Sequence, residues 1–174
     1  MFDIIHGRLL FTIQLDFPRL FAQAYNNLAP GGCFELQDCI WPFHHDGYLD
    51  PACSGALLLD GLSRGIPALG LDWGQTSKFD AYMREQGFVD VQVKTYRAPF
   101  GEWSENAKEK EVGRIMGGEC YPRYLPAWKV VWTKGLGWSD DKIKKIERDL
   151  KADIASQKAR FWLKYRVITG KKPE

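Results

Sequence analysis

The most regular pattern in the chain lies at residues 88–96, FVDVQVKTY, where Val89, Val91 and Val93 alternate with Asp90, Gln92 and Lys94. A period of two with one polar face predicts a strand solvated on one side, as at the edge of a sheet. Nearer the N-terminus the period changes. Leu20, Phe21, Ala24, Tyr25 and Leu28 recur at helical spacing behind Asp16, which can cap a helix whose first turn admits Pro18. Pro30-Gly31-Gly32 is placed to stop that helix, and CFELQDCIW after it has the length of a strand without clean alternation, as in a strand covered on both faces. With the apolar run from Phe2 to Ile5, the chain therefore opens strand, helix, strand. Two strands joined through a helix lie parallel with a right-handed crossover, which makes the unit part of an α/β sheet.

A Pro/Gly/His-rich stretch, WPFHHDGYLDPACSG, reads as a loop, and a helical segment with Leu57, Leu58 and Leu62 follows it. Another helix carries Phe79, Tyr82 and Met83 on one side, with Gly87 placed to close it. Beyond a connection rich in Trp and Tyr, Ser139, Asp140 and Asp141 can start a helix bearing Ile143, Ile146, Leu150 and Ile154. FWLKYRVIT supplies a last strand. There is no internal repeat and no low-complexity segment, so residues 1–174, with 45% apolar content, read as a single domain.

Composition narrows the partners more than it names them. A formal net charge of +2 with 26% charged residues demands neither nucleic acid nor membrane. Basic residues gather towards the C-terminus, but interspersed acids make them a solvated helix face and not a nucleic-acid groove. No apolar run approaches the roughly 20 residues that span a bilayer. Asp3, His6 and Arg8 interrupt what a signal peptide would need, which gives a cytoplasmic expectation with the nucleus left open. Cys33, Cys39, Cys53 and Cys120 form no C-x-x-C pair and read as reduced.

The segments FDIIHGRLL, FPRLFAQAYNNL, the A-P-G-G turn and FELQD, in this order, resemble the second half of a class I S-adenosylmethionine-dependent methyltransferase. More narrowly they are similar to the fungal group associated with secondary metabolism. The likeness continues through GFVDVQVKTYRAPFGEW, LGWSDDKIKKIERDLKADI and VITGKKPE. It implies an α/β fold: a truncated Rossmann-like methyltransferase fold with a four-stranded mixed half-sheet, family strand order 4-5-7-6, and flanking helices. In that family a glycine-rich loop after strand one and an acid ending strand two hold the methyl donor, and neither has a counterpart here. The expectation is thus no cofactor, with S-adenosylmethionine bound only if a partner chain or preceding sequence completes the site. The strand at Phe2 to Ile5 is then a bare edge expected to pair with a second copy or a different chain.

The same resemblance assigns the acceptor pocket to the ends of strands four and five and to the segment between strands six and seven. Candidate catalytic residues there are His6, Asp38, His44 and His45. Candidate substrate contacts are Arg8, Trp41, Phe43 and Tyr48, together with Trp103, Tyr121 and Tyr124 further along. Each has a structural alternative: a satisfied histidine, an ion pair for Arg8, a loop cap for Asp38, core packing for the aromatics. His44-His45-Asp46 suggests a metal, but adjacent residues seldom converge on one ion and no matching ligand set accompanies them, so no metal is expected. Aromatic walls with a few polar groups suit a small hydrophobic substrate. The expected activity is a donor-independent cyclase or isomerase working by shape and proton transfer on a natural-product intermediate. A methyltransferase completed by further sequence or a partner, and a non-catalytic regulatory subunit, are the alternatives.

Overall fold

The computed structural model describes residues 1–13 and 16–174. Its sheet has four strands, β1 (Phe2–Arg8), β2 (Leu28–His45), β3 (Val89–Pro99) and β4 (Phe161–Lys171), in the spatial order β1-β2-β4-β3. This is the order expected from the family resemblance. β1 and β2 are parallel, with Ile5 opposite Phe34 and Arg8 opposite Gln37, after an irregularity between Phe2 and Ile4. β4 runs back along β2. The Lys172 N–H donates to the Gly32 carbonyl near the start of β2 (2.9 Å), and the Asp46 N–H donates to the Arg160 carbonyl just beyond its end (3.1 Å), so the sheet is mixed.

Among the described residues, six α-helices accompany it: α1 (Phe17–Asn27), α2 (Ser54–Ala68), α3 (Phe79–Gln86), α4 (Ala107–Ile115), α5 (Tyr121–Val130) and α6 (Asp140–Ala155). The chain forms two compact units. One comprises Met1–Trp41, Trp73–Tyr96 and Lys164–Glu174, the other Pro42–Asp72 and Arg97–Leu163. Among the described residues no helix is long and apolar enough to cross a membrane.

In the first unit, the Asp16 carboxylate accepts the Arg19 N–H (3.1 Å) and caps α1, with Pro18 in the first turn. The helix ends at Asn27, sooner than Pro30-Gly31-Gly32 suggested. Leu28 is already extended, opposite Phe2 and fully buried, so sheet pairing claims it from the helix. The A-P-G-G turn consequently lies inside β2. Phe17, Phe21 and Ala24 of α1 pack with Phe34 and Leu36 of β2, Phe79 and Met83 of α3, and Ile168 of β4. Aromatic edges interlock there, with Phe21 and Phe34 at 5.4 Å and Tyr25 and Phe88 at 5.1 Å between ring centroids. α3 closes on Gly87 in the left-handed conformation (φ +101°), where its N–H returns to the last turn. Val91 and Val93 of β3 lean on this core while Asp90 and Gln92 are exposed, as an edge strand requires.

In the second unit, α2 is capped by the Cys53 thiol and α6 by the Ser139 hydroxyl, each accepting a first-turn N–H at 3.4 Å. Ile143, Ile146 and Leu150 of α6 are buried as their spacing predicts. Two segments depart from expectation. WPFHHDGYLDPACSG is not loop throughout, because β2 continues through His45. The Trp- and Tyr-rich connection is helical: α4 passes through a π-helical turn, Met116–Cys120, into α5, and a second, Val131–Gly135, follows. Trp128, Val131 and Trp132 from this stretch are buried.

Candidate functional site

A cavity of about 900 Å³ opens in the second unit. Every residue lining it falls between Gly101 and Gln157, so the whole site is built by the connection from β3 to β4. On one side Gly101, Gly113, Gly117 and Gly118 line it together with Glu102, Arg114 and Glu119. Gly101 (φ +96°) donates its N–H to the Gly113 carbonyl at 3.0 Å, and a Cβ on Gly113 would collide with the Gly101 carbonyl. Close approach of loop and helix therefore needs glycine on both sides. The opposite wall is one face of α6, where Lys144, Glu147, Arg148, Lys151 and Ile154 recur at spacings of three and four.

Tyr121, the first residue of α5, is 3% exposed and contributes both to this cavity and to a small apolar pocket beside it. Its hydroxyl is buried and has no hydrogen-bond partner among the described residues. Burial pushes the phenol well above its ordinary range, and the nearby charge of Glu147 raises it further. The group accordingly stays an O–H donor at neutral pH. Leaving such a donor unpaired costs about 1–3 kcal/mol. Around it, Arg114 binds Glu111 (2.8 Å) and Arg148 binds Asp149 (3.1 Å), while Lys144 and Lys151 make no ion pair among the described residues.

Of the eleven residues singled out from sequence, Tyr121 alone lines this cavity. Four lie in the first unit. His6 is paired through Nδ1 with Glu35 (3.2 Å), which also accepts from Gln37 (2.9 Å), and Arg8 is exposed. Asp38, 2% exposed, accepts the Leu10 N–H at 2.6 Å and the Cys39 N–H at 2.8 Å, and burial pushes its carboxyl up to about 6. Trp41 meets Trp73 edge to face at 5.7 Å.

The others belong to the second unit. His44 stacks on Trp162, ring centroids 4.3 Å apart. The His45 ring places Nδ1 by the Gly47 carbonyl and Nε2 against the Arg160 N–H, both at 3.4 Å, which suits a neutral ring protonated on Nδ1. Asp46 binds Arg97 (2.7 Å) and the indole N–H of Trp162 (2.9 Å), contacts that hold its carboxyl below the usual range although its partial desolvation opposes them. Phe43 and Tyr124 pack on Trp128, Trp103 lies against the Arg97 guanidinium, and Tyr48 is 86% exposed. Among the described residues no group of three or more His, Cys, Asp or Glu side chains is placed to hold a metal ion.

Two fungal proteins match almost all of this chain. Methyltransferase pytC of Aspergillus terreus is 25% identical over 173 residues, and the probable methyltransferase tdiE of Emericella nidulans is 30% identical over 178. Each alignment covers 99% of this chain. The chain is methyltransferase-like. It spans about half the length of these curated relatives, 53% and 54% respectively. No family model matches it. Among solved structures, Haemonchus contortus phosphoethanolamine N-methyltransferase 2 overlays with a TM-score of 0.47 at 15% identity, covering 99% of this chain and 34% of that one. The [4+2]-cyclase SpnF overlays with a TM-score of 0.42 at 13% identity, covering 99% and 51%. Neither overlay bears on what the chain does.

In this methyltransferase-like chain, the cavity occupies a segment that the resemblance assigns to acceptor binding. Sequence reasoning missed its glycine wall and the α6 face. The signals were present in G-R-I-M-G-G, where small residues sit among helix formers, and in the mixture of charges with Ile154 on one helical stripe.

Proposed function

We propose that this chain is the acceptor-binding part of a methyltransferase-scaffold enzyme of fungal-type secondary metabolism, and that it seats a small, largely apolar natural-product intermediate in the β3–β4 cavity. The observation that carries this is the cavity itself: its volume suits a small molecule, and Pro122, Leu125, Ile154 and Ala155 give it aliphatic surface beside the charged face of α6. Lys144, Glu147 and Lys151 of that face are groups able to orient and polarise a bound substrate. Cyclisation or isomerisation of a polarised substrate uses groups of this kind together with shape, and it requires no methyl donor. Methyl transfer from S-adenosylmethionine is the second reading, favoured by the names of the fungal relatives. The outer edge of β1 is proposed to pair with a second copy.

Extract from a strain of the source organism lacking the gene, incubated with the purified protein with and without S-adenosylmethionine, separates these readings by mass spectrometry. Disappearance of one compound and appearance of an isomer without donor supports the cyclase or isomerase. Conversion only with donor, with the mass gain of a methyl group, supports methyl transfer. If no compound changes under either condition, the enzymatic proposal fails.

A further inference from the structure

We propose that the β3–β4 cavity takes an amphiphilic zwitterion: an apolar body bearing, at separate points, a protonated amine that faces Glu102 and Glu119 and a carboxylate that faces Lys144 and Lys151. The inference rests on the cavity being the substrate site and goes further by assigning the ligand's charged groups. The two sides of the cavity meet at Ile154. Its Cγ2 lies 3.3 Å from where a Cβ on Gly101 would stand and 3.2 Å from the same point on Gly117, so the glycine-lined side rests directly on α6 there. From that contact α6 continues with Lys151, Arg148, Glu147 and Lys144 on its lining face. Lys144 lies about 15 Å along the helix from Ile154. The aliphatic surface of Ile154, Leu125 and Ala155 therefore gives way to a charged stretch long enough to meet the far end of a small molecule.

The charges divide by side. Two of the cations are already matched: Arg114 donates to Glu111 through Nε (3.1 Å) and Nη2 (2.8 Å), and Arg148 is held by Asp149 (3.1 Å). Among the described residues the other charged lining groups form no ion pair. On the glycine-lined side these are two acids, Glu102 and Glu119, against no unmatched cation. On α6 they are two lysines, Lys144 and Lys151, against the single acid Glu147. One side is therefore negative in excess and the other positive, and the two do not close on each other. A singly charged ligand satisfies one side and meets like charge on the other, whereas a zwitterion with separated charges satisfies both. Both glutamates and both lysines are exposed, so each contact has the modest strength of a solvated ion pair and is weakened by salt.

Three biphenyls of one shape serve as probes: 4′-(aminomethyl)biphenyl-4-carboxylate, biphenyl-4-carboxylate and 4-(aminomethyl)biphenyl. At neutral pH the first is a zwitterion, the second an anion and the third a cation. Binding is followed by NMR titration, read at the amides of Gly113, Gly117 and Gly118, which line the cavity. The zwitterion is expected to bind about 2- to 5-fold tighter than either singly charged probe at low ionic strength, the span of a solvated ion pair. That advantage should fall towards unity in ~1 M salt, where screening acts over about 3 Å. Lys144→Gln combined with Lys151→Gln should abolish the zwitterion's advantage over the amine and leave its advantage over the carboxylate. Glu102→Gln combined with Glu119→Gln should do the reverse. All four side chains are exposed, so neither double variant threatens the fold. A zwitterion no tighter than the better singly charged probe, or an advantage over both that survives either double variant, overturns the charge assignment, while shifts at the three glycines still uphold the cavity as a site. If no probe moves those amides, the cavity reading falls together with the inference.

Discussion

Asp38 carries a chemical and a structural reading in the sequence, and the fold shows what holds its carboxylate. The sequence puts it where a strand ends, with function and loop capping weighing equally, whereas the structure places it inside β2. In the structure both carboxylate oxygens are engaged by backbone N–H groups, from Leu10 after β1 and from Cys39. Those bonds favour the charged form, but burial outweighs them and lifts the carboxyl to about 6. An unfolded Asp titrates near 3.9, so the folded state holds the proton more tightly. Asp38 therefore contributes stability that is complete below pH ~4 and is lost as the pH rises through about 6. Two pK units correspond to about 2–3 kcal/mol. Asp38→Asn cannot titrate and turns one acceptor into a donor facing an N–H. Urea denaturation across this range should show the wild-type protein's stability relative to Asp38→Asn shrinking by roughly that amount as pH rises. A pH-independent difference would show that Asp38 ionises normally.

At the scale of elements, the helical path from α4 through the first π turn to α5 carries both the cavity and the largest departure from the sequence reading. Its fit to the loop after β3 depends on Gly113, where a methyl group would strike the Gly101 carbonyl. Because the obstacle is backbone, Gly113→Ala has no side chain to push aside and should cost about 1–3 kcal/mol, as overpacking does. Gly118→Ala, on the same path with open space at its Cβ, should be neutral or stabilising by about 0.5–1 kcal/mol. Paired denaturation curves check the contrast, and an equal change in both variants would mean that the close approach of Gly113 to the Gly101 carbonyl does not set the cost. The same region explains what was legible beforehand. α1, α3 and α6 could be read because a cap, an apolar stripe or a closing glycine marks each. Gly117, Gly118, Pro122 and Pro126 argue locally against helix, and the burial of Trp128 and Trp132 overrides them only once the unit is packed. The A-P-G-G turn misled in the opposite direction, since strand pairing at Leu28 ended α1 first. Tyr121 was named through the family resemblance, whereas the other residues of the cavity wall come from segments that no local pattern joins.

For the whole molecule, the strand order leaves β1 and β3 outermost, and the two edges differ in chemistry. β3 exposes Asp90, Gln92 and Lys94, which discourage further pairing. β1 exposes Phe2 (59%) and Ile4 (68%) on one face, with Asp3, His6 and Arg8 as its polar residues. Covering a side chain of this size contributes about 1.5–3 kcal/mol, and the outer backbone groups of β1 offer a hydrogen-bonding ladder to match. A second copy can use both features at once through an antiparallel, two-fold contact in which each β1 faces the other. Sedimentation equilibrium at micromolar concentration should therefore return twice the chain mass. Ile4→Lys places a charge in that contact and should return the mass of one chain, with far-UV circular dichroism unchanged because Ile4 is outside the core of its unit. A wild-type protein that sediments as a single chain at every concentration sampled would leave the exposed face of β1 without this explanation. A dimer insensitive to Ile4→Lys would place the contact on another surface.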